Sequence, residues 1–344
     1  AAERLANRVD LADALRGATW HVGPLALPRR AVARSPAPAP RPAWPTPEGF
    51  VERSRDRAES ATTLERLVAC QLAWVLADVA YVRPGRARAI ADVHVVSGNL
   101  AHALSAAIFV EGPPPAPAAA EGRARELLET AIDEVAAPLR QPEHAADLAR
   151  VRRRLPQAMG ALARALADNH LRVAGTERRV AFAPADGPAE VRGFVDLLAH
   201  DASGAAVVVD LKWTRSRRHR DDLAAGCAVQ LATYVAALQA ADGEGAAPAT
   251  PPRAGYFRLM QQEFATLRAD GLRGMPVDGP PLLATWRDVT DAWRAWTRCA
   301  ADGTLLATGV PGWAEQAPDG LEPLREPPCE YCAFHGLCFT GVDA

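Results

Sequence analysis

The stretch Ala205-Ala206-Val207-Val208-Val209-Asp210-Leu211-Lys212 decides the fold class of this chain. Its apolar, β-branched run is typical of a buried strand. Side chains alternate across a strand, so Asp210 and Lys212 emerge on one face while Leu211 points into the core. The segment therefore predicts a sheet with an anion and a cation side by side at the end of one strand.

A second strand precedes it. Residues 190–198 have a strand pattern, and residues 200–204 indicate a hairpin connection, so antiparallel pairing brings Asp196 opposite Asp210. Two aspartates supply hard oxygen ligands for Mg²⁺ or Mn²⁺ and leave positions open for water and phosphate. A neighbouring lysine can orient the attacking water and offset charge on the phosphorus oxygens. The constellation predicts phosphodiester cleavage. The alternative is that Asp-x-Lys is here only the polar end of an exposed strand, without a function.

Two helical motifs accompany these strands. Gln230 and Tyr234 are four residues apart in an apolar helical pattern, hence on one helix face. Residues 98–102, Gly-Asn-Leu-Ala-His, are predicted to open another apolar helix, in which a single histidine is more often a core or surface residue than a ligand.

The patterns along the chain predict an α/β core with a helical elaboration. The predicted helices cover 58–170, 220–240 and 285–300, and the predicted strands cover 176–183, 189–200, 205–213 and 253–260.

The order of the four motifs is the strongest signal. Gly-x-x-x-His at 98–102, Gly-h-h-Asp (h, apolar) at 193–196, Asp-x-Lys at 210–212 and Gln-x-x-x-Tyr at 230–234 follow one another. In this order the chain resembles the RecB-like branch of the PD-(D/E)XK nuclease superfamily. The resemblance implies a restriction-endonuclease-like mixed sheet and a metal-dependent nuclease.

The resemblance also implies roles for individual residues. The implied metal ligands are His102, Asp196, Asp210 and the carbonyl of Leu211, and Lys212 would be catalytic. Gln230 and Tyr234 would support the site or touch DNA. Glu177 lies where many relatives carry a glutamate, with a solvated edge residue as the equal alternative. Trp213 departs from the small or hydroxyl residue usual after the lysine.

The cysteines give a second signal. Cys329, Cys332 and Cys338 form a C-x2-C-x5-C run, which is too closely spaced for ordinary disulfides and suits a metal centre that needs a fourth ligand. Cys70 lies in an apolar helical pattern that Thr62-x-x-Glu65 is predicted to cap. Cys227 and Cys299 fit buried apolar positions.

This pattern resembles AddB-type and CRISPR-associated RecB-like nucleases. The resemblance implies a [4Fe-4S] cluster held by Cys70, Cys329, Cys332 and Cys338 that staples the two ends of the domain together. Zn²⁺ is the alternative, because four thiolates also suit a tetrahedral site.

Composition fits a globular enzyme whose contacts to DNA are local. The 344 residues are 49% hydrophobic and have a net charge of −2. The chain therefore lacks the excess of basic residues that usually indicates nucleic-acid binding. Four arginines after the proposed catalytic lysine are predicted to contact phosphates: Arg215, Arg217, Arg218 and Arg220. No signal peptide or membrane-spanning run is found, and the cysteine usage suits the cytoplasm.

The proline-rich stretch 28–47 predicts a linker, which gives an N-terminal segment 1–48, interpreted as either the tail of an upstream domain or a short ordered appendage, and a nuclease domain 49–344. No Gly-x4-Gly-Lys-Ser/Thr motif occurs, so a helicase motor would lie in an upstream region or another protein.

The predicted function is a single-strand or end-processing DNA exonuclease in recombination, repair or defence. The alternatives are a non-catalytic iron-sulfur DNA-binding module and a zinc-stabilised scaffold.

Overall fold

The computed structural model describes residues 39–50, 54, 57–83, 92–242 and 250–338, together with the backbone of two short strands, β1 (Thr19–Val22) and β2 (Leu25–Pro28). The chain divides into two compact units. The first comprises Ala1–Ala39 with Gly341–Ala344, and in it β1 and β2 form an antiparallel ladder. The second comprises Pro40–Thr340.

The second unit is built on a mixed sheet. Its strands are β3 (Ala43–Pro45), β4 (Ala58–Ser60), β5 (Arg172–Phe182), β6 (Glu190–His200), β7 (Ala206–Lys212), β8 (Arg253–Arg258), β9 (Glu263–Leu267), β10 (Met275–Val277) and β11 (Thr304–Leu306). Seven of them form one sheet in the order β10-β9-β8-β7-β6-β4, with β5 also paired to β6. The predicted α/β class with a mixed sheet is confirmed.

Helices cover both faces of this sheet. They are α1 (Ala61–Ala69), α2 (Gln71–Trp74) with a π-helical turn (Val75–Val79), α3 (Val93–Ile108), α4 (Pro117–Val135), α5 (Ala145–Asp168), α6 (Arg218–Ala224), α7 (Val229–Asp242), α8 (Leu282–Ala301) and α9 (His335–Cys338). Short 3-10 turns occupy Ala137–Arg140, Pro142–His144, Arg268–Asp270, Ala314–Gln316 and Cys329–Tyr331.

The two faces of β7 show how the core is divided. Val207, Val209 and Leu211 pack with the arm formed by α3, α4 and α5. Val208 packs instead with residues of α1, α7 and α8. The prediction that Leu211 points into the core is confirmed, and alternation places Asp210 and Lys212 on the face of α7.

Several sequence predictions need correction. The region predicted as helical from 58 begins with the strand β4, and the predicted helix 220–240 is broken into α6 and α7 around Gly226, which has a φ of 72°. Residues 43–45, inside the predicted linker, pair with β11. The domain boundary at 48/49 stays a prediction.

The cap of α1 also differs from the prediction. Because β4 runs to Ser60, the helix begins at Ala61 and Ser60 is its N-cap. Thr63 N–H donates to Ser60 Oγ at 3.2 Å, and Ser60 N–H donates to Thr63 Oγ1 at 2.7 Å. The predicted capping box of Thr62 and Glu65 is therefore wrong. The side chain of Glu65 instead pairs with Arg325.

No single described helix combines the length and apolar composition needed to cross a membrane. Arg218–Ala224 and Val229–Ala241 meet that test only when taken together, with a 59° bend between them.

Candidate active site

A fork in the sheet creates the site. The C-terminal half of β6 pairs with β7, from Leu197 opposite Val209 to His200 opposite Ala206, whereas its N-terminal end pairs with β4. The β6–β7 register, continued by one residue, places Asp196 opposite Asp210. At this point the Leu211 N–H donates to Asp196 Oδ2 at 2.7 Å, so the side chain of Asp196 bonds to the neighbouring strand where the two strands diverge.

Three potential ligands converge beside the fork. His102 Nδ1 lies 3.3 Å from Glu177 Oε1 and 3.5 Å from Asp196 Oδ1. One ligand atom from each of the three residues lies within 4.8 Å of the other two, and no other such group of His, Cys, Asp or Glu occurs in the described ranges. The motif 98–102 lies in the middle of α3, which begins at Val93, so the prediction that it opens the helix is wrong.

Glu177 reaches this group through an unusual backbone. It lies between the pairs Thr176–Leu197 and Arg178–Val195 on the β5–β6 ladder, which places it opposite Asp196. Its φ of 49° is in the left-handed region, which non-glycine residues rarely adopt. Such conformations cost about 1–3 kcal/mol and cluster at functional sites.

Asp210 and Lys212 form the second half of the site. Asp210 is fully buried, and Lys212 Nζ lies 2.7 Å from its Oδ2. Neither carboxylate oxygen of Asp210 has a hydrogen bond of good geometry to any described residue. A buried carboxylate without hydrogen bonds is costly unless a cation compensates its charge. Asp210 does not join the group of His102, Glu177 and Asp196 within 4.8 Å.

The charged groups in the two halves of the site shift one another's pKa values. Burial raises the pKa of Asp196 well above its ordinary value, and the negative charges of Asp210 and Glu177 raise it further against the opposing charge of Lys212. Burial alone would lower the pKa of Lys212, but the charges of Asp210 and Asp196 outweigh it, so this pKa is raised. The site has a surplus of negative charge, and oxygen and imidazole donors suit a hard divalent cation.

Gln230 and Tyr234 extend from α7 toward the lysine. Lys212 Nζ donates to Gln230 Oε1 at 2.8 Å, and Gln230 Nε2 donates to Tyr234 Oη at 3.1 Å. A Cβ on Gly193 would lie only 3.0 Å from Tyr234 Cε1. The glycine of the Gly-h-h-Asp motif thus leaves room for the ring of the Gln-x-x-x-Tyr motif, and the pair on α7 holds the ammonium of Lys212.

Sequence reasoning missed several neighbours of Lys212. Tyr256 of β8 is paired with Asp210, and Lys212 Nζ lies 5.9 Å from its ring centroid. The His219 ring lies 4.9 Å from the Tyr256 ring, and burial together with the charge of Lys212 lowers the pKa of His219 to about 3. Neither residue belongs to a motif, so only the fold could have identified them.

Glu65 and Arg325 were missed as well. Burial raises the pKa of Glu65, while the charge of Lys212 opposes that shift. Arg325, from the segment before the cysteine run, lies 3.8 Å from Glu65 and 3.2 Å from Asp222 on α6. This arginine links the C-terminal segment to two carboxylates close to the site.

The four cysteines predicted to bind one cluster line one cavity. Its volume is about 570 Å³, and Cys70, Cys329, Cys332 and Cys338 all contribute to its wall. Cys70 lies at the break between α1 and α2 in an extended conformation. Burial, followed by the neighbouring sulfurs of Cys70, Cys332 and Cys329, raises the pKa of Cys338 to about 12.

Two further details concern this cavity. A Cβ on Gly309 would lie 2.1 Å from Cys329 Sγ, so only glycine leaves room for that sulfur. The cavity thiols do not include three within 4.8 Å of one another. Cys227 and Cys299 lie outside the cavity wall and are buried, as predicted.

The arginine-rich loop after Lys212 is anchored at one point. Arg258 Nη2 donates to the carbonyl of Ser216 at 2.9 Å. Arg215, Arg217 and Arg218 are exposed, and Arg218 lies 3.8 Å from Asp222. Trp213 is partly buried against the core beside the helical arm.

One of three comparisons with known proteins identifies a family for this chain. The family model described as the PD-(D/E)XK nuclease superfamily matches residues 58–339. None of the curated proteins matches the chain significantly. The crystal structure of SSO0001 is similar over 71% of this chain and 93% of its own, with 15% identity and a TM-score of 0.26, which is too low to establish a shared fold.

Proposed function

Because this chain belongs to the PD-(D/E)XK nuclease superfamily, we propose that it is a DNA nuclease that hydrolyses phosphodiester bonds with Mg²⁺ or Mn²⁺. The observation that carries the proposal is the buried Asp210–Lys212 pair beside the group of His102, Glu177 and Asp196. Lys212 pairs with the fully buried Asp210, but its single positive charge faces the carboxylates of both Asp210 and Asp196, which leaves negative charge for a further cation to balance.

The proposed ligands are His102, Asp196, Asp210 and the Leu211 carbonyl, with Glu177 as a further donor. A divalent ion held there would polarise the phosphate and lower the pKa of a bound water. The Asp196 carboxylate is oriented by the N–H of Leu211. Lys212, held by Gln230, places its ammonium where it can orient the attacking water and offset charge on the phosphorus oxygens.

The proposed substrate is DNA that is single-stranded or has free ends, and the proposed role is exonucleolytic processing in recombination, repair or defence. The exposed arginines 215, 217 and 218 directly after Lys212 support backbone contact without base reading. A helicase partner, on another chain or an upstream region, would supply unwound strands.

We further propose that the cysteine cavity holds a [4Fe-4S] cluster. A tetrahedral zinc site, with Zn–S bonds of about 2.3 Å, requires sulfurs only about 3.8 Å apart. A cubane cluster binds each thiolate to a different iron and so spaces the sulfurs more widely. The observation that supports a shared centre is that all four cysteines line one cavity, and zinc remains the alternative that metal and sulfide analysis distinguishes.

The nuclease proposal is tested with labelled single-stranded and duplex DNA in the presence of Mg²⁺ or Mn²⁺. Asp210→Asn and Lys212→Ala should each abolish metal-dependent cleavage, and Asp278→Asn, in an exposed ion pair with Arg268, should not. Intact folding of the variants is checked by circular dichroism. Undiminished cleavage by Asp210→Asn or Lys212→Ala would overturn the active-site assignment, and an inactive wild type would favour the non-catalytic DNA-binding module.

A further inference from the structure

Phe194 is an anomaly on the strand β6. It is 57% exposed, although its neighbour Val195 and the nearby Val191 are buried in the core. No described aromatic ring stacks against Phe194. A single exposed apolar side chain does not by itself indicate a binding surface, so what lies next to Phe194 decides whether it is one.

The position of Phe194 relative to the metal-binding group is defined by the ladder. Phe194 is paired with Arg179 of β5, and this pair lies two residues along from Glu177 and Asp196. Two residues of strand span about 7 Å. A nucleotide whose phosphate lies at the group of His102, Glu177 and Asp196 would therefore have a neighbouring nucleotide within reach of Phe194.

The surroundings of Phe194 are cationic. Arg179, the partner of Phe194 across the ladder, and Arg192, two residues before Phe194 on the same strand, are both exposed. Arg192 pairs with Glu190 at 2.9 Å, whereas Arg179 has no hydrogen-bond or ion-pair partner among the described residues. A lone ring among guanidinium groups does not offer the contiguous apolar patch that a second protein copy would need.

An exposed aromatic ring with an unpaired arginine beside it matches the way proteins hold single-stranded nucleic acid, by stacking bases on rings and neutralising phosphates. A duplex keeps its bases stacked on one another and offers only their edges in the grooves. The arrangement therefore discriminates between the two strand states.

We propose that Phe194 stacks on a base of single-stranded DNA next to the scissile phosphate, that Arg179 contacts the adjoining phosphate, and that this pair makes the enzyme prefer single strands. The proposal rests on the proposed function, since it places DNA at this metal-binding group. It assigns strand selection to a residue outside the Asp-x-Lys and Gln-x-x-x-Tyr motifs.

Binding of fluorescent oligothymidylate and of a duplex, measured by anisotropy in EDTA, tests the proposal. Phe194→Ala should weaken single-strand binding about 5- to 150-fold, which corresponds to the loss of one base stack. Duplex binding should change much less, and Phe194→Trp should preserve single-strand affinity. Val110→Ala, at a 68% exposed valine, is the matched control and should bind as the wild type does.

Two further measurements sharpen the result. Arg179→Gln should lower the slope of log affinity against log salt concentration by about one. A 2-aminopurine base placed at successive positions should lose fluorescence at one position with the wild type and Phe194→Trp, but not with Phe194→Ala.

Each other outcome has a definite meaning. Unchanged single-strand affinity in Phe194→Ala, or an equal loss on both DNAs, overturns the proposal while the nuclease assignment stands. If Phe194→Ala instead converts a wild-type dimer to a monomer without changing single-strand affinity, the ring belongs to a contact between copies and the proposal is wrong. A wild type that neither binds nor cleaves DNA overturns the proposed function itself.

Discussion

Lys212 is the only lysine among the 344 residues, so every other basic side chain except histidine is an arginine. Three groups surround its ammonium: Asp210 Oδ2 at 2.7 Å, Gln230 Oε1 at 2.8 Å and the Tyr256 ring at 5.9 Å. The compact ammonium fits between these groups, whereas the planar guanidinium of arginine needs more space and a different set of acceptors. We therefore expect Lys212→Arg to be nearly as inactive as Lys212→Ala.

The single lysine allows a direct measurement of its pKa. In protein labelled with ¹³C-lysine, one Cε signal reports on Lys212 alone. Because the charges of Asp210 and Asp196 raise the pKa of Lys212, this signal should stay at its charged position beyond pH 10.5, and Asp210→Asn should move the midpoint down. The same midpoint in both proteins would mean that the carboxylate does not hold the ammonium.

His219 provides a prediction about stability and pH. Its pKa in the folded protein is lowered to about 3, from an ordinary value near 6.5, so the unfolded chain binds more protons between these values. The contribution of His219 to stability is complete above about pH 6.5 and is lost as the pH falls, at a rate approaching about 1.4 kcal/mol per pH unit.

Urea unfolding of the wild type and His219→Phe between pH 7 and 5 measures this contribution, because phenylalanine keeps the contact with Tyr256 but cannot be protonated. The wild type should lose stability relative to the variant as the pH falls. His200→Gln, at an exposed histidine, is the control and should parallel the wild type. Parallel curves for the wild type and His219→Phe would contradict the prediction.

At the scale of the elements, the parts that depend on local pattern were predictable. The strand ending at Lys212 and the helix carrying Gln230 and Tyr234 are both marked by long apolar runs, and the hairpin fixes the register between Asp196 and Asp210. β4 was missed, since Ala58-Glu59-Ser60 contains no β-branched residue and its partner lies far along the chain. Arg325 was missed for the same reason: its contacts with Glu65 and Asp222 depend on the tertiary fold.

Arg325 joins α1, α6 and the C-terminal segment, and its side chain is only 9% exposed. Removing it leaves Glu65 and Asp222, which are largely buried, without their shared cation. Arg325→Met should therefore lower the free energy of unfolding by about 2–3 kcal/mol, somewhat less than a fully buried pair because Glu65 is partly exposed.

Denaturant titration compares this variant with Arg268→Met, whose partner Asp278 is exposed, and which should change stability little. The triple variant Arg325→Met, Glu65→Gln, Asp222→Asn should recover part of the loss, because it removes the unpaired charges. Equal effects of Arg325→Met and Arg268→Met would mean that the link between these elements is energetically unimportant.

At the scale of the whole molecule, the two ends of the second unit already meet through protein contacts. The buried side chain of Gln71 donates to the Trp296 carbonyl at 2.7 Å and accepts from the Leu306 N–H at 2.7 Å. Thr308 Oγ1 donates to the Ala69 carbonyl at 2.5 Å. These bonds involve the residues on either side of Cys70, and they fix its position at the wall of the cavity. Beyond residue 308, Leu321 packs in the core and Arg325 pairs with Glu65 and Asp222, so the cysteines would mainly hold the segment after Arg325.

This arrangement predicts which part of the chain loses its structure when the proposed cluster is lost. Closing a long loop through metal–thiolate bonds removes entropy from the unfolded chain, and that term grows only logarithmically with loop length, so distant closure still stabilises the fold. Cys70→Ser and Cys332→Ser should both lose iron and sulfide, and both should become sensitive to protease after Arg325 while the core resists, because the bonds of Gln71 and Thr308 and the ion pairs of Arg325 remain. Cys227→Ser and Cys299→Ser should keep the cluster. Metal and sulfide analysis with limited proteolysis of the four variants decides the question: stoichiometric zinc without sulfide would replace the cluster by a zinc site, and full metal retention in Cys70→Ser would remove Cys70 from the ligands.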